Sequence, residues 1–241
     1  MIESNNTNRY NGLELLSKLP KESIACVFFD PQYRGILDKM AYGNENTGKQ
    51  ARRANLTQMS ADIIKKFITE YNRVLKPSGH LFLWIDKYEL CQGSVKEWLR
   101  GTSLRIVDMI VWNKKHFGLG YRSRRTSEYL VVLQKEPLKA KYVWKDRSIP
   151  DVWDEKLPTK AELIKEGVIQ SNETLHPHRK PFELQRRLVL AVTNENDTVV
   201  DCAAGSYSLL DVCKATGRRC ICCDIEFGTV WNEEMNLHKS N

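Results

Sequence analysis

The chain has 241 residues, 41% hydrophobic and 28% charged, a globular composition that excludes collagen, coiled coil and wholesale disorder. It is long enough for one or two domains at roughly 150 residues each and for a core that needs no staples. Lys and Arg outnumber Asp and Glu 37 to 30, a formal net charge of +7, which points to an anionic partner. The longest apolar runs fall far short of the ~18 residues of a membrane span, and the polar start MIESNNTNRY has no basic-then-apolar leader pattern. A soluble, cytoplasmic protein is the expectation.

In chain order, a short amphipathic segment over 13–19 precedes IACVFF at 24–29, whose unbroken apolar run predicts a strand buried on both faces. A loop-like stretch follows to about residue 59. A helix starts at Ser60 and carries Ile63, Ile64, Phe67, Ile68, Tyr71 and Val74 on one face. Lys76-Pro77-Ser78-Gly79 predicts a turn, then HLFLWI at 80–85 a strand. Residues 95–99 read as helix, 104–112 and 128–134 as strands, and 136–175 as irregular. Beyond Pro181, a favoured first-turn residue, 182–192 is helical. A strand at 197–202, a helix at 209–214 and a strand at 219–225 complete the chain. Strands alternating with helices predict an α/β fold, a doubly wound and mostly parallel sheet covered on both faces.

The seven cysteines include Cys213, Cys220, Cys222 and Cys223. Cys220 and Cys223 have the C-x-x-C spacing, but no second such pair and no matching His pair accompanies it, so they read as reduced, buried small hydrophobes rather than zinc ligands. His176 and His178 have no carboxylate or cysteine spaced with them, and no metal is expected. The positive charge concentrates in two stretches. Lys114, Lys115, Arg122, Arg124 and Arg125, with Tyr121 among them, are unrelieved by acid from 113 to 125. Arg34, Lys39, Lys49, Arg52 and Arg53 form the second group, against Asp38 and Glu45. Local basic loops suit a phosphate backbone, so both are candidate DNA contacts.

Ligands of open α/β sheets bind beyond the carboxyl ends of the strands. Three strands here end in acid, at Asp30, Asp201 and Asp224. Asp201 leads through Cys202-Ala203-Ala204-Gly205-Ser206 into a helix, and Asp224 closes the next strand. That order matches a nucleotide-cofactor arrangement with the second acid placed for ribose hydroxyls. Only Gly205 is available for close backbone approach, which is poor for pyrophosphate. A nucleoside cofactor without phosphates fits better, and S-adenosylmethionine is the obvious one. A nicotinamide dehydrogenase is disfavoured on the same ground.

Asp30-Pro31-Gln32-Tyr33 resembles the D/N/S-P-P-Y motif of the methyltransferases that modify exocyclic amines in DNA. His176-Pro177-His178-Arg179-Lys180-Pro181, followed by Leu184, is similar to that family's H-P-x-x-K-P-x-x-L segment. DCAAGSYS at 201–208 resembles its D-P-F-x-G-S-G-T cofactor turn. Catalytic tetrapeptide first and cofactor turn last is the permuted order of the β group, and the resemblance spans residues 11–227. The segment Tyr33-Arg34-Gly35 followed by Tyr42-Gly43-Asn44-Glu45 looks most like short phage- and prophage-borne adenine methyltransferases, some with relaxed specificity.

The resemblance implies a single methyltransferase domain, Rossmann-like, with target-recognition segments at 34–60 and 136–175. It implies catalysis by Asp30, Pro31, Gln32 and Tyr33 on a base extruded from double-stranded DNA. Cofactor contacts would come from Asp30, His178, Lys180, Asp201, Ala203, Ala204, Gly205, Tyr207, Asp224 and Ile225, with Lys180 on the cofactor carboxylate and Asp224 on the ribose. Asp at the first motif position favours adenine N6 over cytosine N4. A homodimer, the form many relatives use to cover a duplex, is compatible with the chain, as is residence in a bacterial or phage-infected cell. Three departures stand out: Gln32 replaces a proline, Ala203 an aromatic residue and Tyr207 a glycine. They motivate the rival reading of an inactive, nucleic-acid-binding relic.

Overall fold

The computed structural model describes residues 3–32, 58–118, 122–167, 170 and 179–230. The elements are β1 (Thr7–Arg9), α1 (Gly12–Lys18), β2 (Ile24–Phe29), α2 (Ala61–Val74) and β3 (Leu75–Ile85). There follow α3 (Lys87–Gln92), α4 (Ser94–Trp98), β4 (Leu104–Asn113) and β5 (Ser127–Lys135). The chain continues through α5 (Ala140–Val143), β6 (Val152–Asp154), α6 (Lys160–Lys165) and α7 (Phe182–Val192). It closes with β7 (Thr198–Asp201), α8 (Ser208–Thr216), β8 (Arg219–Asp224) and β9 (Thr229–Val230).

The strands form one sheet in the order β6-β4-β5-β3-β2-β7-β8-β1-β9. Every neighbouring pair is parallel except the two made by β5, which runs antiparallel to β3 and to β4. The sheet is therefore mostly parallel, as the alternating pattern predicts. β2 shows why its strand has no polar side: Val27 and Phe29 face one core while Cys26 and Phe28 face the other. On the first face α1, α2 and α4 bring Leu15, Leu16, Phe67, Tyr71 and Trp98. On the second, α7 and α8 bring Leu184, Leu188, Leu209 and Val212. α2 begins as expected, with the Ser60 hydroxyl accepting from the Ile63 N–H.

Some expectations need correction. β3 begins at Leu75 rather than residue 80, because Leu75 already pairs with Ile24 before a bulge shifts the register to Cys26 opposite His80. Ser78 takes up the bulge with φ 63° and donates to the Pro137 carbonyl. The 136–175 stretch is not irregular throughout, since α5, β6 and α6 lie in it. β1 and β9 were invisible in the pattern because two- and three-residue strands carry no periodicity. Trp144 and Trp153 cover the second core, Trp144 lying edge-on to Phe82 at 6.3 Å. Arg187 on α7 ties this stretch down by pairing with Asp146. No helix among the described residues is long and apolar enough to cross a membrane.

Candidate active site

β2, β7 and β8 are adjacent and parallel, so their three terminal acids emerge at one edge of the sheet. Asp201 stands opposite Phe28 on one side and Cys222 on the other, two residues short of Asp30 along β2. Its Oδ1 accepts from the Ala203 N–H at 3.1 Å, which sets the small-residue turn. Burial pushes the Asp201 carboxyl up to about 7, and the negative charges of Asp30 and Asp224 add to the rise. Asp224 ties two turns together. Its Oδ2 accepts from Gly205 N at 2.9 Å, and its Oδ1 from Glu226 N and Phe227 N at 2.9 and 3.1 Å. A carboxylate offers about four acceptor positions, so about one is left for a ligand hydroxyl.

A cleft of about 230 Å³ opens over this edge. Ala203, Gly205, Asp224 and Ile225 line it from the β7 and β8 side, and Met59, Ile63 and Phe67 supply an apolar wall opposite. Gln58 also lines it, with its Oε1 buried and without a hydrogen-bond partner among the described residues. Asp30 and Ala203 separate the cleft from a smaller recess of about 30 Å³, which Trp84, Lys180, Asp201 and Ala204 help to line. An apolar slot with a few convergent polar groups is what a nucleoside needs.

Lys180 stands beside the recess. Its Nζ lies 2.8 Å from Asp30 Oδ2 and 2.9 Å from Glu128 Oε2, and 4.8 Å above the Trp84 ring. Lys114 Nζ approaches the other Glu128 oxygen at 3.3 Å. Burial alone would raise the Glu128 carboxyl, but Lys180 and Lys114 overcome it and bring it down to about 2. Burial likewise opposes the Lys180 charge, yet Asp30 and Glu128 hold its pKa above the ordinary lysine value.

Of the remaining predicted site residues, Pro31 is buried and Gln32 is half-buried, its carbonyl accepting from Met59 N at 2.6 Å. Tyr33, Arg34, Lys39, Lys49, Arg52, Arg53, Tyr121 and His178 lie outside the described residues. Tyr207 is not a wall of either cavity. It is buried, with its hydroxyl 2.8 Å from the carbonyls of both Asn8 and Phe227, so it fastens β1 to the chain beyond β8.

The basic loop is less free than its sequence implies. Lys114 turns inward to Glu128, Lys115 pairs with Asp154 at 2.6 Å, and Arg125 pairs with Asp86. Arg124 Nε donates to the Gly118 carbonyl at 2.6 Å, and Arg122 is exposed. Sequence reasoning missed Glu128, Trp84, Phe67 and Gln58 as site residues. Glu128 alone left a trace, as an acid opening an otherwise apolar strand three residues beyond the basic loop.

A family profile described as DNA methylase matches residues 24–230, which takes in all three strand-end acids and Lys180. The chain belongs to the N6/N4 DNA methylase family. The methylase is 50% identical over 231 residues to the type II methyltransferase M.HhaII of Haemophilus parahaemolyticus, covering 95% of each chain. It is 25% identical to the DNA adenine methyltransferase YhdJ of Escherichia coli K12, over 88% of this chain and 75% of that one. Among solved structures, the cytosine-N4-specific PvuII DNA methyltransferase superposes with a TM-score of 0.65 at 18% identity, over 92% of this chain and 82% of that one. The complex of M1.HpyAVI with S-adenosylmethionine gives 0.60 at 18%, over 92% and 94%.

DNA is the substrate of this methylase and S-adenosylmethionine its methyl donor. The cleft fits that donor on its own evidence. The Gln58 oxygen, without a partner among the described residues, can accept from a donor such as an adenine amine, Asp224 retains an acceptor position, and the apolar wall suits a purine face.

Proposed function

We propose that the methylase modifies the exocyclic N6 of adenine in double-stranded DNA, taking the base out of the stack and reading a short or loosely defined target. The observation that carries this is the Asp30 carboxylate, set at the end of β2 between the cleft and the recess and gripped by Lys180. An exocyclic amine is a weak nucleophile because its lone pair is delocalised into the ring. Asp30 accepts one amine hydrogen and the Pro31 carbonyl the other, drawing the nitrogen toward tetrahedral geometry. Tyr33 stacks on the base, which recovers about 1–3 kcal/mol of the cost of unstacking. Gln32 continues the turn that carries the two acceptors.

When bound, S-adenosylmethionine supplies an electrophilic methyl on a sulfonium. Asp224 takes a ribose hydroxyl, Ala203, Ala204, Gly205 and Ile225 shape the floor, and Asp201 faces the amino-acid end, for which His178 is also assigned a contact. Catalysis rests on positioning and a preorganised polar edge. Exposed Arg122 and Arg124 meet the phosphates, together with the basic group at 34–53. Target reading is assigned to 34–60 and to 136–175 beyond Leu157, because Trp144, Ile149, Trp153 and Leu157 are committed to the core. Protection of a site that a type II restriction enzyme cuts is the corresponding role, as the name of M.HhaII implies for that relative.

An Asp rather than a Ser at residue 30, and the adenine activity in the name of YhdJ, support adenine. The PvuII enzyme keeps cytosine N4 as the second reading. Incubation of unmethylated plasmid with the purified chain, followed by nucleoside mass spectrometry, separates them. N6-methyladenine is expected; N4-methylcytosine would transfer the same mechanism to the other base.

A further inference from the structure

We infer that Glu128 is a positioning residue for the methyl transfer, acting through Lys180 to hold the Asp30 carboxylate in place. The inference rests on the assignment of Asp30 as the amine acceptor and goes beyond it.

The topology puts Glu128 there. β5 is antiparallel, so its beginning, rather than its end, reaches the edge where β2, β3 and β4 finish. In register, Glu128 stands opposite Trp112 and Leu130 opposite Trp84. A carboxylate on the second residue of β5 therefore meets groups from two other segments and, through one of them, a third. Lys114 follows the end of β4, Asp30 follows β2, and Lys180 precedes α7.

Two carboxylates then share the Lys180 ammonium. An ammonium has three N–H bonds. One reaches Asp30 at 2.8 Å and one Glu128 at 2.9 Å, and the Trp84 ring lies 4.8 Å away beneath the charge. The two lysines and two carboxylates of the group balance in charge, and the side chain of Lys180 is 13% exposed. A cofactor carboxylate would have to share the ammonium with these two carboxylates. The inference assigns Lys180 the anchoring of Asp30, where the resemblance implies a clamp for the cofactor carboxylate.

Remove the Glu128 charge and Lys180 loses one of its two ionic partners. It then has freedom to leave Asp30, which has the acid Asp201 as a neighbour. The charged groups facing the pair are Lys114, Asp30 and Asp201. The decisive readout is therefore a split between rate and cofactor affinity rather than a pH profile alone.

The test uses the full chain with Glu128→Gln and Glu128→Asp beside wild type. Single-turnover methylation of plasmid DNA gives the rate, and calorimetry gives the Kd of S-adenosylmethionine. Glu128→Gln is expected to lower the rate about 10- to 100-fold, the scale of a small misplacement of a catalytic group, with the cofactor Kd within about 3-fold of wild type. Retained cofactor binding also certifies that the variant is folded. Glu128→Asp, with the charge kept on a shorter arm, is expected to recover part of the rate. A Kd weakened 10-fold or more with the rate at saturating cofactor unchanged would overturn the inference in favour of the cofactor clamp. No change in either quantity, or no recovery with Asp, would overturn it in favour of a structural pair. Methylation of cytosine by the wild type would overturn the base assignment alone, because the variant-to-wild-type ratio is read on whichever base is modified.

Discussion

Tyr207 stands where the family's cofactor turn has a second glycine, and it adopts φ 57° there. The left-handed backbone that glycine adopts freely is carried by a large side chain, compensated by the hydroxyl's contact with the Asn8 and Phe227 carbonyls. Tyr207→Phe is expected to lower stability by about 1 kcal/mol in chemical denaturation while leaving S-adenosylmethionine affinity unchanged. Asp201 gives a second prediction at this scale. Its carboxyl is raised from 3.8 to about 7, so between those values the folded chain holds a proton that the unfolded chain has released. Stability without cofactor therefore falls as pH rises through that window, with a slope of up to about 1.4 kcal/mol per pH unit from this group. Asp201→Asn is expected to flatten the profile in urea titrations at fixed pH values. Glu128 works in the opposite sense at lower pH, contributing stability above its ordinary 4.5 that is lost as pH falls toward 2.

At the scale of elements, α2 links the fold to the site. Phe67 packs on Phe29 with ring centroids 5.2 Å apart and also forms part of the apolar wall of the cleft. Phe67→Ala should cost about 3–5 kcal/mol of stability and weaken cofactor binding, measured by denaturation and calorimetry on the same preparation. The elements legible in the sequence were those with a period. α2, α7 and the buried runs of β2, β5 and β8 could be placed within a residue or two, and the acids closing β2 and β8 could be read as candidate site residues. What stayed hidden has a common cause. The antiparallel sense of β5 leaves no mark on its own residues, so the arrival of Glu128 beside Lys180 could not be foreseen. The same limit applies to the basic loop, whose partners Asp154 and Asp86 are distant in sequence or belong to another element.

Over the whole molecule, the net charge of +7 overstates what meets DNA, since Lys114, Lys115 and Arg125 are already paired within the protein. DNA binding should weaken with salt, each phosphate contact adding about 0.9 to the slope of log K against log salt. Arg122→Ala and Arg124→Ala are each expected to reduce that slope by about 1, whereas Lys114→Met should leave it unchanged; fluorescence anisotropy across a salt series reads all three. The sheet also divides the labour. On the proposed assignment, the ends of β7 and β8 hold the cofactor, and the end of β2, braced from β5, holds the amine. The measurement that tests this division most directly is made on Asp30→Asn, with cofactor Kd and single-turnover rate taken on one sample. The account predicts a Kd within about 3-fold of wild type and a rate reduced about 10²- to 10³-fold, the loss of one charged acceptor in a preorganised site. A rate that survives the substitution, or a Kd that collapses with it, would contradict the account.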